Sequence, residues 1–267
     1  MKYIELDQNT EEWKSIRAGK ITASSASLLL DKVGGLTAQQ QTFVDAILKE
    51  KLEPKEAAKK AGYKSAPRSD LINRALSGEV ITPKFKPEAL DYAGKLAIER
   101  ISNKPFAEEV NPYTKAMQWG HDNEPLARSR HAEVLGTTIL ESGFFTNDDE
   151  WCGASPDGLI GEDGLAEYKC FTNPRRIRAV YFEKDITEFL PQIQFQLWIT
   201  ERKWCDFCLY VPDLAAAHHE VEILRVKRDE VMIQKLKKHA IELNQIIDNY
   251  KHEFSKSCHI VDRLKTH

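Results

Sequence analysis

One stretch constrains this chain more than any other. An acid at a turn, Ser155-Pro156-Asp157-Gly158, is followed by an acid and a lysine two residues apart, Glu167-Tyr168-Lys169. Residues 137–170 read as a β-meander. Residues 137–140 and 143–145 are rich in β-formers, while 147–150 and 161–164 are turn sequences. Residues 165–170 then alternate as a strand does, so Glu167 and Lys169 point the same way. Asp157 lies just before the second turn and can return beside Glu167. Two carboxylates at one point attract a hard divalent cation such as Mg²⁺. A lysine alongside supplies positive charge to a developing phosphorane and can orient an attacking water. An Asp-Gly turn with a Glu/Lys pair also decorates hairpins that do no chemistry, so the rest of the chain has to decide.

The 267 residues suit one sizeable α/β domain, or one domain plus an insert, and a 42% hydrophobic content supports a packed core. No apolar run reaches eighteen residues, which predicts no membrane span. The opening Met1-Lys2-Tyr3-Ile4-Glu5-Leu6-Asp7 is too acidic for a signal peptide, and five cysteines without one predict free thiols in a reducing, cytoplasmic compartment. The net charge of −3, from 38 basic and 41 acidic residues, is no global footprint for nucleic acid. Local placement differs. Residues 49–76 hold eight Lys/Arg against four Asp/Glu, a net +4, and Arg175-Arg176 follows the Glu-x-Lys strand.

Residues 10–18 read as a helix capped by Thr10, and 21–30 as a second helix. Arg17 and Ser24 flank the break between them, and an arginine beside free N–H groups makes an anion site. Residues 36–78 predict a small helical subdomain inserted into a core of 1–35 and 79–267. Its helices start near Leu36, at Pro54 and near Ser69, with the spacing of a helix-turn-helix. Lys55, Lys59, Lys60 and Lys64 would then contact phosphates. Residues 87–103 and 114–135 predict helices separated by a break at Asn111-Pro112. Glu124, Ala127 and His131 share one face of the second. Asn173-Pro174 opens a basic segment. Residues 186–200 predict a buried helix on which Gln192 and Gln196 share a face, and a buried glutamine needs a partner. Strands over 204–211 and 219–226 and an amphipathic helix over 228–254 close the chain. Cys205 and Cys208 form a C-x-x-C, but residues three apart on a strand face oppositely, which argues against a metal cluster.

Pro156-Asp157 with Glu167-Tyr168-Lys169 resembles the active-site pattern of the PD-(D/E)xK nuclease superfamily. Further blocks follow in the order seen in phage lambda exonuclease-like (YqaJ-type) viral recombinases. They are Trp13-Lys14-Ser15-Ile16-Arg17-Ala18-Gly19 through Ser24, Trp119-Gly120-His121-Asp122-Asn123-Glu124, Ser155 to Leu159, and Gln192-Ile193-Gln194. The resemblance implies a restriction-endonuclease-like α/β core with a mixed central sheet flanked by helices. It implies a 5′→3′ exonuclease on linear double-stranded DNA that leaves 3′ overhangs for recombination, with two Mg²⁺ (or Mn²⁺) ions. Asp157, Glu167, Glu124 and the Tyr168 backbone carbonyl would hold the ions, Lys169 and Gln192 would position the water, and Arg17, Ser24 and Ser155 would hold the terminal 5′-phosphate. A homotrimeric ring around DNA, a single-strand annealing partner and phage or prophage origin are implied as well. The insert resembles the DNA-binding module of phage terminase small subunits and has no counterpart in the lambda-type pattern. Two other readings use the same residues: a structure- or site-specific endonuclease, and a non-enzymatic DNA-packaging protein with a vestigial core. The intact Asp157, Glu167 and Lys169 argue against the latter.

Overall fold

Thr10 caps the first helix as its sequence demands: the hydroxyl accepts from the Trp13 N–H, with Glu11 and Glu12 in the first turn. The computed structural model describes residues 1–106 and 115–256. The elements begin with β1 (Lys2–Ile4), α1 (Glu11–Arg17), β2 (Ile21–Thr22), α2 (Ala26–Leu30), β3 (Lys32–Val33), α3 (Ala38–Leu48), α4 (Pro54–Lys60), α5 (Asp70–Leu76) and β4 (Lys84–Phe85). Next come α6 (Pro87–Ser102), α7 (Lys115–Leu135), β5 (Ile139–Leu140), β6 (Phe144–Thr146), β7 (Cys152–Ala154), β8 (Gly158–Ile160) and β9 (Gly164–Lys169). The chain continues with α8 (Pro174–Glu183), α9 (Leu190–Thr200), β10 (Trp204–Tyr210), β11 (Val221–Lys227) and α10 (Glu230–Phe254). Among the described residues no helix is long and apolar enough to cross a membrane. The expected break at Asn111-Pro112 lies outside the described residues.

The chain divides into two units, Met1–Leu30 with Asp91–His267, and Asp31–Leu90. The smaller unit is wider than 36–78, because β3 and β4 pair antiparallel within it. Its three helices bury Phe43, Val44, Ala57, Ala58, Ile72 and Ala75 in a core of their own. A Thr37/Gln40 capping box fixes the start of α3. The connections run over 49–53 and 61–69, whereas a helix-turn-helix needs a turn of about three or four residues. The tight turn expected from the sequence is therefore not formed.

In the larger unit the predicted meander is split between two sheets. One has the order β1-β6-β7-β2, and the other has the order β11-β10-β9-β8-β5. The second sheet is mixed, with β9 and β10 parallel and its other pairs antiparallel. This is the mixed central sheet flanked by helices that the sequence predicts. Leu165, Cys205, Phe207 and Leu209 face α8 and α9 on one side. Ala166, Tyr168, Cys208 and Tyr210 face α7 on the other. The two cysteines of the C-x-x-C thus lie in different cores on opposite faces. Each large apolar side chain buried there contributes about 1.5–3 kcal/mol. Helix α9 packs against β6 and β7 of one sheet and β10 of the other, so it is buried almost all round. That burial forces its glutamines to find partners inside the protein.

Three local expectations need correction. Residues 21–30 are not one helix: β2 pairs with β7, and a 3₁₀ turn at Ala23–Ser25 precedes α2. The basic segment after Asn173 is itself the helix α8, because the Asn173 side chain caps it and Pro174 occupies its first turn. The strand expected from residue 219 starts at Val221, because His218 ends a 3₁₀ turn in the left-handed conformation.

Candidate active site

Strand β9 presents Glu167 and Lys169 on the face that α9 covers. The Glu167 side chain is 1% exposed. Its Oε1 accepts from the Lys169 ammonium and from Gln192 Nε2 at 2.6 Å, and its Oε2 accepts from Gln196 Nε2 at 2.7 Å. The i,i+4 spacing of Gln192 and Gln196 turns both amides to this one carboxylate. One cation and two amides thus satisfy a buried anion. The resemblance implies that Gln192 positions a water; its amide is held here by Glu167.

Asp157 arrives by register. Gly158 pairs with Ala166 and Leu159 with Leu165 in an antiparallel ladder, and extending it by one residue sets Asp157 opposite Glu167 on the same face. The Tyr168 N–H donates to Asp157 Oδ2 at 2.7 Å. A strand residue sends its N–H and C=O to the same side, so the Tyr168 carbonyl also faces the Asp157 side. Burial, then the charges of Glu167 and Glu124, push the Asp157 carboxyl well above the usual range. Burial also raises Glu124, with Glu167 adding to it and Arg128 opposing it. Burial alone would lower the Lys169 ammonium, but Glu167, Asp157 and Glu124 outweigh it and hold it above its ordinary value.

Glu124 Oε1 accepts from Arg128 Nη2, one turn along α7, at 2.8 Å. Among the described residues no three His, Cys, Asp or Glu side chains form a closed metal-ligand set. The donor chemistry nonetheless suits a hard cation. Asp157 and Glu124 are held above the ordinary carboxylate range beside Glu167, and oxygen ligands are what Mg²⁺ takes. Asp157, Glu167, Glu124 and the Tyr168 carbonyl could hold it. Glu124, Asp157, Lys169, Phe171 and Arg176 help line a cavity of about 630 Å³. Arg176 stacks on Phe171 at 4.1 Å and pairs with Glu188 at 3.0 Å, whereas Arg175 is exposed.

Arg17, Ser24 and Ser155 come together through a residue to which the sequence alone assigns no role. The Trp13 indole N–H donates to Ser155 Oγ at 2.8 Å, and its ring carries the Arg17 guanidinium 3.9 Å from the centroid. Arg17 Nη2 lies 3.4 Å from Ser24 Oγ. Arg17 is half-buried and has no ion pair among the described residues, and burial lowers its proton affinity. A desolvated cation without a carboxylate is suited to an anion. Ser155 stands two residues from Asp157, and Gln8 pins the turn between them by donating to the Pro156 carbonyl at 2.8 Å. The spacing of Trp13 and Arg17, four apart on one short helix, was the available signal for their contact. Lys55, Lys59, Lys60 and Lys64 belong to the smaller unit, and Lys60 pairs there with Glu50.

On the opposite face of the sheet lies a second buried carboxylate. Asp206 accepts from Arg225 Nε at 2.7 Å and Nη2 at 2.8 Å, and His131 Nε2 lies 3.3 Å away. The other His131 nitrogen meets the Tyr168 hydroxyl at 3.2 Å.

Crystal structures similar to this protein include an alkaline exonuclease (LHK-Exo) from Laribacter hongkongensis. It is 23% identical, with a TM-score of 0.62 over 92% of this chain and 96% of that one. The complex of LHK-Exo with dAMP matches at 24% identity and a TM-score of 0.61, over 92% and 98% of the chains. A phage-related exonuclease from Haemophilus somnus 129PT matches at 12% identity and a TM-score of 0.52, over 86% and 100%. These likenesses establish the shared fold. No curated protein sequence matches. The family model of the YqaJ-like viral recombinase domain matches residues 12–203, most of the chain. With that match added to the mixed sheet and the carboxylate-lysine strand, the chain belongs to the YqaJ-like viral recombinase domain family.

Proposed function

We propose that this protein is a metal-dependent 5′→3′ exonuclease acting on linear double-stranded DNA. Family membership supports a nuclease acting on DNA. The observation that carries the finer reading is the short link between two sites, the unpaired Arg17 with Ser24 and Ser155, and the Asp157/Glu167/Lys169 cluster. Two residues span at most about 7 Å, so a terminal phosphate at Ser155 is held at a short, fixed distance from Asp157. That is the geometry an end-dependent enzyme needs.

Asp157, Glu167 and Glu124 are the residues that would hold Mg²⁺. Bound there, it would stabilise charge on the attacking and leaving oxygens. Lys169 would orient the water and offset charge developing on the phosphorus oxygens. Gln192 and Gln196 would keep Glu167 in place while Lys169 turns to the substrate. Arg176, on the cavity wall, would steady the neighbouring phosphate. Water adds to phosphorus, the P–O3′ bond breaks, and the leaving oxygen takes a proton. The released nucleotide carries the old 5′-phosphate, and the shortened strand carries a new one, which Arg17 can bind in the next cycle. A 5′-mononucleotide such as the dAMP held by LHK-Exo is a product of this type.

The test is digestion, with Mg²⁺, of a linear duplex bearing a 5′-phosphate, the same duplex bearing a 5′-hydroxyl, and a closed circle. We expect rapid loss of the phosphorylated linear form, slower loss of the hydroxyl form and no attack on the circle. Arg17→Ala should erase the difference between the linear forms. Cutting of the closed circle would instead favour an endonuclease.

A further inference from the structure

The unit Asp31–Leu90 carries charge of the opposite sign to the rest of the chain. It holds eleven Lys/Arg against eight Asp/Glu, a net +3, while the remaining residues are net −6. Within it several cations are already engaged. Lys49 pairs with Asp45, Lys60 with Glu50, Arg74 with Asp70 and Glu79, and Lys86 with Asp31. Lys55, Lys59, Lys64 and Arg68 are exposed and have no ion pair among the described residues. Lys55 and Lys59 are four apart and share a face of α4. Lys64 and Arg68 lie in the connection that follows, where Tyr63, Lys64, Ser65, Ala66, Pro67 and Arg68 line a cavity of about 680 Å³.

We propose that Lys55, Lys59, Lys64 and Arg68 form a sequence-independent contact surface for the phosphate backbone of duplex DNA. The proposal rests on the DNA-nuclease reading above. It reassigns the contact within the unit. In a helix-turn-helix the helix after the turn would read bases, but α5 opens with Asp70, and its Arg74 is tied to Asp70 and Glu79. An acid at the leading end repels phosphate, so α5 is a poor reading helix. Flexible lysines and an unpaired arginine suit phosphates, which carry no sequence information. Burial of Ala57 and Ala58 against α3 holds α4 with its lysines turned outward.

The experiment is equilibrium binding of full-length protein to a labelled duplex of about thirty base pairs, in EDTA so that the duplex stays intact, over a range of salt. For the combined variant Lys55→Gln, Lys59→Gln, Lys64→Gln and Arg68→Gln we expect weaker binding at low salt. The slope of log K against log salt should become shallower by about 0.9 for each phosphate that the variant no longer neutralises. The loss should be equal on two duplexes of unrelated sequence. Should the combined variant misfold by circular dichroism, Lys59→Gln and Lys64→Gln are measured singly, each expected to make the slope shallower by about 0.9. An unchanged slope and affinity would overturn the proposal. So would a changed sequence preference, or a changed oligomeric state with the slope intact, which would make this face a contact between copies. Cleavage and duplex binding by the unmodified protein are measured alongside. If both are absent, the DNA-nuclease reading fails; if both are present and the variants match wild type, only this inference fails.

Discussion

Glu167 and Asp206 stand on neighbouring strands, both buried, and the chain treats them in opposite ways. Asp206 lies on the α7 face and is neutralised by Arg225, with His131 completing its shell. Although burial opposes it, these partners hold its carboxyl below the usual range. Glu167 lies on the α9 face, shares its lysine with Asp157, and leans on two neutral amides. Its neighbour Asp157 is pushed the other way, well above the ordinary carboxylate range, by burial and by the acids around it. The first carboxylate is finished by the fold. The second cluster gathers Asp157, Glu167 and Glu124 beside an open cavity, with two of the three shifted away from the ordinary carboxylate range, a pattern that makes it a functional-site candidate.

That contrast can be sharpened or broken by substitution. The largest effect in this set is expected at Lys169. Lys169→Ala should lower the cleavage rate by about a hundred- to a thousandfold, the usual cost of removing one preorganised charge or donor. A loss below tenfold in single-turnover digestion would remove Lys169 from the chemistry. Gln196→Leu should cost less. It frees one oxygen of Glu167 without touching the substrate, and removing such a supporting hydrogen bond typically costs ten- to a hundredfold in metal affinity or activity. Raising the Mg²⁺ concentration should recover part of that activity, and no recovery at any concentration would argue for a different role. Asp206→Asn should leave cleavage per folded molecule intact and cost about 2 kcal/mol of stability, the range for hydrogen bonds to a charged group. Since the folded carboxyl is depressed, its contribution is present above the unfolded value near pH 4 and is lost as pH falls through the lower folded value. Thermal melts of wild type and Asp206→Asn should therefore differ at pH 7 and converge in acid. A constant difference would contradict the assignment.

How far the sequence could be read follows from the range of each interaction. The alternation across Glu167-Tyr168-Lys169 and the i,i+4 pair Gln192/Gln196 are local patterns, and both put side chains where the protein has them. The identity of the glutamines' partner was not local: Glu167 is 25 and 29 residues away. The split of the meander was hidden for the same reason. Strands β6 and β7 find β1 and β2 near the start of the chain, and no feature of residues 137–170 announces that. Trp13 was visible within its motif, yet its contact with Ser155 spans 142 residues. The length of the α4–α5 connection was not legible, because glycine and proline mark where a helix stops but not how far the chain travels before the next begins.

The cluster around Asp157 is tested most directly by one comparison, wild type against Asp157→Asn. Each, stripped of metal by EDTA, is given an end-labelled linear duplex with and without Mg²⁺. Asparagine keeps the shape and the Tyr168 contact but removes the charge that burial and Glu167 already oppose. The account predicts that wild type degrades the duplex only with Mg²⁺. Asp157→Asn should lose on the order of a thousandfold or more, corresponding to several kcal/mol of transition-state stabilisation, while melting no lower than wild type without metal. Metal-independent cleavage by wild type, or retained Mg²⁺-dependent cleavage by Asp157→Asn, would contradict it.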